Sequence, residues 1–207
     1  MTKGRFITVE GAEGVGKSTN ISLIEEIVRE NGHNVLITRE PGGTTTGERI
    51  RDILLDKEAQ ELTAMTELLL MFAARTQHVS QIIEPALDEG TWVVCDRFTD
   101  SSYAYQGGGR EMGADLISQL EVFALGQFRP DLTILLDVDV STGLERATRD
   151  VQADRFESEQ VIFFERVRSA FLARAQGDRY RVVDAGASLV QVQAHIREVM
   201  DEFIAKS

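Results

Sequence analysis

Residues 11–19 read GAEGVGKST, directly after the apolar run FITVE (6–10) and directly before a stretch with helical periodicity. The spacing fits G-x-x-x-x-G-K-[ST], and this segment restricts the fold more than any other in the chain. It requires a strand before it, a tight turn, and a helix after it, so that consecutive backbone N–H groups and the positive end of a helix dipole converge on one anion. Gly11, Gly14 and Gly16 supply the turn, Lys17 can reach the β- and γ-phosphates of a nucleotide, and the Ser18 hydroxyl can ligate Mg²⁺. The implied ligand is a nucleoside triphosphate as its Mg²⁺ complex. One residue is out of character: Glu13 puts a carboxylate inside a loop built for anions.

The rest of the chain repeats the rhythm that the loop demands. Five short runs rich in β-branched residues follow one another: FITVE (6–10), NVLIT (34–38), TWVVCD (91–96), LTILLDV (132–138) and YRVVDA (180–185). They are nearly continuous apolar runs, as expected of strands buried on both faces of a parallel sheet. Between them lie helical faces, for example Ile21, Ile24 and Val28, and Val192, Ile196, Val199 and Phe203. A third helix opens with Leu62, Met65, Leu68, Leu69 and Phe72 and is expected to run to about Ala86, with Pro85 near its end. Strand and helix alternate, so the fold class is α/β, with a five-stranded parallel, doubly wound sheet flanked by helices.

A length of 207 residues fits a single domain spanning 1–207 that needs neither disulfides nor metal staples. The lone cysteine, Cys95, sits in an apolar strand and reads as a small buried hydrophobe. A net charge of −12 argues against non-specific binding to nucleic acid or an anionic membrane. No run approaches the roughly 18 apolar residues of a membrane span, so the expected location is cytoplasmic. Anions must therefore be held by local arginines, and two irregular stretches carry them: DRFTDSSYAYQGGGRE (96–111) and ATRDVQADRFESE (147–159). No guanine-reading Asn-Lys-x-Asp segment is present, which disfavours a GTPase. The chain reads as a small ATP-dependent kinase closing over a second substrate. A nucleotide-binding regulatory protein without turnover is the rival from another class.

The segments TREPGGT (38–44), GERIR (47–51), FAARTQH (72–78), CDRF (95–98) and SSYAYQGGGR (101–110) stand in this order behind the loop. With RPDLTILLDV (129–138), DRFE (154–157) and FFERVR (163–168), they make nearly the whole chain resemble bacterial thymidylate kinases, phosphate-loop nucleoside monophosphate kinases. The resemblance implies phosphoryl transfer from ATP to dTMP, giving dTDP, with Mg²⁺, in a homodimer. It implies that ATP is held by Gly11, Ala12, Glu13, Gly14, Val15, Gly16, Lys17, Ser18 and Thr19, with Arg146 near the adenine and Ser18 and Asp96 at the metal. For the acceptor it implies Arg51 and Arg97 on the 5′-phosphate with Glu40 nearby, and Tyr105 crowding the sugar 2′ position. Arg75 is implied at thymine O4, with Ser102 and Gln106 around the base. The family stacks an aromatic ring on that base from four positions before the arginine. Here that position is Met71, and the ring, Phe72, lies three before, so Phe72 is expected to stack with Met71 beside it. Glu13 is implied on the acceptor side, near the sugar 3′-hydroxyl. A mobile lid over about 147–159 is implied to supply Arg149 or Arg155 to the transferring phosphate, because position 14, where some relatives keep a catalytic arginine, is glycine.

Overall fold

The computed structural model describes residues 3–56, 62–148 and 158–206. Its centre is a five-stranded, all-parallel sheet in the order β2-β3-β1-β4-β5. The strands are β1 (Phe6–Glu10), β2 (Val35–Arg39), β3 (Trp92–Asp96), β4 (Leu132–Asp137) and β5 (Tyr180–Asp184). They coincide with the five apolar runs to within one or two residues at each end. β1 is central because both of its neighbours pair with it in parallel, Val9 lying opposite Asp96 on one side and Ile134 on the other. Every side chain of β1 is buried, which explains why FITVE shows no alternation.

Helices cover both faces. On one, α1 (Lys17–Glu30) and α9 (Leu189–Ile204) pack Ile24, Ile27, Val28, Ile196 and Met200 onto Ile7, Val94 and Ile134. On the other, Phe6, Val93 and Phe98 meet Val79, Ile83 and Leu87. Those last three belong to the long helical stretch that starts with α3 (Ala64–His78). It continues through a π-helical turn, Val79–Ile83, into α4 (Glu84–Asp88), slightly past the expected end. The widened turn falls where Pro85 would leave the carbonyl four residues earlier without a donor.

The segment after β3 departs from expectation. Instead of irregular chain it forms a short helix, α5 (Thr99–Ser102), that runs on as a π-helix over Tyr103–Gly109. Its glycines erase the apolar periodicity but permit a close approach to α8 (Ser158–Arg174): a side chain on Gly108 would meet the Ala170 methyl and the Arg166 carbonyl. Buried Asp100 strengthens this junction, accepting from Arg174 Nε at 2.8 Å and from the Tyr180 hydroxyl at 2.9 Å. The remaining helices are α2 (Thr45–Leu55), α6 (Ala114–Leu125) and α7 (Val140–Thr148). Among the described residues no helix is long and apolar enough to cross a membrane.

Candidate active site

The carboxyl ends of β1, β2 and β3 open into one cleft, as expected at the point where strand order reverses in an open parallel sheet. One wall is the 11–19 loop. Gly16 stands in the left-handed region (φ 82°) as the N-cap of α1, and among the described residues no side chain caps the start of that helix. By contrast Thr44, Thr63 and Ser188 cap α2, α3 and α9. The opening amides of α1 are thus left to an external acceptor. Gly14 is held for a second reason: at φ 72°, a Cβ there would drive into the carbonyl of Gly143 on α7. Lys17 Nζ donates to the carbonyls of Gly11 and Ala12 at 3.2 and 3.0 Å. Burial, then the Arg97 guanidinium, bring its pKa down to about 8 against Asp96, Glu13 and Glu10. Ser18 is exposed in the first turn of α1. Asp96, at the end of β3, keeps a buried Oδ1 with no hydrogen-bond partner among the described residues.

The opposite wall encloses a cavity of about 440 Å³ lined by Glu13, Glu40, Arg51, Glu67, Met71, Arg97, Ser101, Tyr105 and Gln106, among others. A cavity of about 450 Å³ also lies around Arg5, Leu132 and Phe203, so chemistry rather than size singles this one out. Arg97 sits at φ 67°, and its backbone N–H donates to the Val9 carbonyl. Its guanidinium donates to Ser101 Oγ at 3.1 Å, Glu13 Oε1 at 3.2 Å and the Tyr105 hydroxyl at 3.0 Å. The Tyr105 hydroxyl in turn donates to the Glu13 carboxylate at 2.8 Å. Burial first, and Glu13 beyond the opposing Arg97, keep that phenol protonated. Glu13 therefore turns its side chain away from the main-chain face of its own loop and into the second cavity.

Arg75 and Ser102 lie behind the cavity wall, both almost fully buried. Arg75 donates through Nε to Glu40 at 2.6 Å, through Nη1 to Ser102 Oγ at 3.0 Å and through Nη2 to the Phe98 carbonyl at 3.0 Å. Two of the five guanidinium N–H groups remain uncommitted. Glu40 also accepts from His78 Nδ1 at 3.1 Å, and His78 Nε2 meets the Thr38 hydroxyl at 2.7 Å. Glu40 is thus the anchor of Arg75. Arg51 donates to the Pro41 carbonyl at 2.9 Å.

Phe72 departs from the expected arrangement. Its ring packs with Leu68, Tyr103 and Ile117 and lies under the Arg75 guanidinium at 4.8 Å, while Met71 is the side chain that lines the cavity. The cause is helical phase: Met71 is four residues before Arg75 and shares its face, whereas Phe72 is rotated toward α6. Arg146 is on α7 with Nη1 bonded to the Ala185 carbonyl at 2.7 Å. Arg149 and Arg155 lie outside the described residues.

Three contributors carried no motif. Glu10, the last residue of β1, accepts from the Phe98 and Ser101 amides at 2.7 and 3.3 Å and from Ser101 Oγ at 2.6 Å. Burial, with Asp100 adding to it, pushes its carboxyl up to about 7 against these donors and Arg97. Gly143 gives Gly14 its room. Glu67 holds Gln106 Nε2 at 2.7 Å. The available signal was spacing, since Glu67, Met71 and Arg75 recur every four residues on one face of α3.

A glycine-rich loop on the central strand, facing an arginine-bearing cavity across the same cleft, is the arrangement of a phosphate-loop kinase fold. The thymidylate kinase family pattern matches residues 9–196. A thymidylate kinase of Teredinibacter turnerae is 51% identical over 203 residues, 97% of this chain and 99% of that protein. That of Ectopseudomonas mendocina is 53% identical over 203 residues, 97% of each. That of Nitrosospira multiformis is 50% identical over 198 residues, 95% of this chain and 96% of that protein. The chain belongs to the thymidylate kinase family.

Proposed function

We propose that this protein transfers the terminal phosphoryl group of ATP to dTMP, giving dTDP and ADP. The observation that carries the reading is the facing pair of sites, with Glu13 and Arg97 meeting between them. ATP phosphates would lie on the amides of residues 11–19 with Lys17 on the outer phosphates, and Arg146 beside the adenine. Arg51 and Arg97 would hold the acceptor 5′-phosphate, their guanidinium forks matching its oxygens. Glu13 would accept from the sugar 3′-hydroxyl, and the Tyr105 ring would leave no room for a 2′-hydroxyl. Arg75, held by Glu40 and Ser102, would donate to thymine O4, and Gln106 Oε1 would accept from N3–H. Met71, not Phe72, would cover the base. No general base is required, because the attacking phosphate oxygen is already ionised near neutral pH. Arg149 or Arg155, from a lid over about 147–159, would complete the charge stabilisation and exclude water.

The residues present fit Mg²⁺. The orphaned, buried Asp96 Oδ1 and the exposed Ser18 hydroxyl offer the few oxygens needed by a metal that keeps its waters and substrate phosphates. Held by Asp96 and Ser18, the ion would supply positive charge against the nucleotide phosphates. A homodimer is supported by apolar residues left bare on the two packed helices α3 and α6: Met65 and Leu69 on one, Val122 and a Phe123 that is 89% exposed on the other. The absence of a membrane-crossing helix among the described residues is consistent with a single-domain cytoplasmic enzyme.

The test is ADP release with dTMP, dUMP, dCMP, dGMP or thymidine as acceptor. A clear preference for dTMP supports the reading. A preference for thymidine or dGMP, or ATP binding without any product, overturns it.

A further inference from the structure

We infer that Glu67 is a specificity-positioning residue: it locks the side-chain amide of Gln106 in the one orientation that accepts thymine and rejects cytosine. This rests on the reading of Gln106 as the partner of thymine N3–H. Gln106 is 1% exposed and lines the acceptor cavity, and its Oε1 is buried with no hydrogen-bond partner among the described residues. A buried orphan acceptor calls for a donor, and thymine supplies one at N3.

An unrestrained glutamine could satisfy either base. Its amide is nearly symmetric in shape, and a half-turn exchanges an acceptor for a donor. Thymine presents N3–H, whereas cytosine presents a bare N3 acceptor. Rotated by half a turn, Gln106 would donate to cytosine and lose its preference. Glu67 prevents the rotation. Its Oε1 takes Gln106 Nε2 at 2.7 Å, and its Oε2 takes Arg110 Nη2 at 3.1 Å. A carboxylate paired with an arginine can only accept, so it admits the NH₂ face of Gln106 and excludes the carbonyl face. The carbonyl is then committed to the base. Glu67 does this from α3, the helix that also presents Met71 and Arg75, while Gln106 comes from the π-helical segment after β3.

The discriminating experiment replaces Glu67 by glutamine, which keeps shape but can offer either face to Gln106. Acceptor kcat/KM is measured with dTMP, dCMP and dUMP. In Glu67→Gln the dTMP-over-dCMP ratio is expected to fall about tenfold, the scale of one hydrogen bond recovered by the wrong base. The fall is partial because Arg75, a donor only, still opposes the cytosine amino group. The dTMP-over-dUMP ratio should not move, since both bases present N3–H. If the amide variant fails to fold, Glu67→Leu removes the lock altogether and should relax the same ratio. Gln106→Ala serves as the control. A lowered dTMP-over-dCMP ratio in Gln106→Ala with an unchanged ratio in both Glu67 variants refutes the lock and leaves the base reading standing. An unchanged ratio in Gln106→Ala refutes both. Equal losses with all three acceptors would show that Glu67 only supports the fold.

Discussion

Between residues 11 and 19 the groups proposed to bind an anion are amides of adjacent residues, whereas the wall across the cleft is assembled from Glu40, Arg51, Arg97, Tyr105 and Gln106, with Arg75 behind it. These come from the ends of β2 and β3, from α2 and α3 and from a π-helical turn. The first region depends on backbone conformation and on what has been left out: no side-chain cap at the start of α1 among the described residues, no Cβ at position 14. The second depends on long charged side chains, each held by another. Glu40 restrains Arg75, Ser101 and Tyr105 restrain Arg97, and Glu67 restrains Gln106. A site made of main chain needs few supports, because the backbone has already lost its freedom on folding. A site made of arginines must be pre-ordered by buried acids, or the rotamer entropy of each arginine would be lost at binding.

The sharpest way to break the comparison is to remove the single side chain on which the donor wall relies for its charge. Lys17→Ala should lower kcat by about a thousandfold, the scale of one lost donor to a developing anion, while leaving the far-ultraviolet circular dichroism unchanged. Near-normal turnover would mean that the amides suffice alone. Glu13→Gln tests whether a residue of the donor loop serves the other wall. It should raise the dTMP KM by about tenfold and leave the ATP KM nearly constant, because its carboxylate faces Arg97 and Tyr105. The reverse pattern would return Glu13 to the donor side.

The same contrast explains what could be read before the structure. The phosphate loop is contiguous, so its spacing alone implied strand, turn and helix, and β1 begins and ends where FITVE does. The other four strands followed from buried apolar runs, with ends shifted by a residue or two where hydrogen bonding rather than hydrophobicity sets the limit. Local periodicity could not show the helix over residues 99–109, because Gly108 and Gly109 are there for the approach of α8, a contact made by residues far along the chain. The buried acids were equally hidden. Buried Glu10 and Asp100 and half-buried Glu67 look like surface charges in a chain with 34 acidic residues, and only their place against arginines or amides gives them meaning.

Met71 and Phe72 differ by phase within one helical turn, Met71 lining the cavity and Phe72 packing behind it, and the comparison between them yields a smaller effect. Met71→Ala should raise the dTMP KM about fivefold, a thioether contact with a planar base being worth about 1 kcal/mol. Phe72→Leu should cost about 1–3 kcal/mol of stability through its place among Leu68, Tyr103 and Ile117, with little change in KM. The opposite assignment of effects would restore Phe72 to the base.

The least effect on turnover, and the finest test, comes from the residue where the two regions join. Glu10 ends β1 and precedes the phosphate loop, yet its carboxyl binds the Phe98 and Ser101 amides and so shapes the acceptor wall. Facing it are Asp100, Arg97 and Ser101 from the segment after β3, and burial raises its pKa from 4.5 to about 7. Between those values the folded protein retains a proton that the unfolded chain has released. The stabilisation is complete below about pH 4.5 and disappears as pH rises through about 7. Glu10→Gln cannot release that proton. Measured by urea unfolding at successive pH values, its stability should therefore gain on the parent protein from about pH 5 to about pH 8. A constant difference would mean that the three donors, and not burial, govern the carboxyl, making the acceptor wall at this point as insensitive to pH as the main-chain loop beside it.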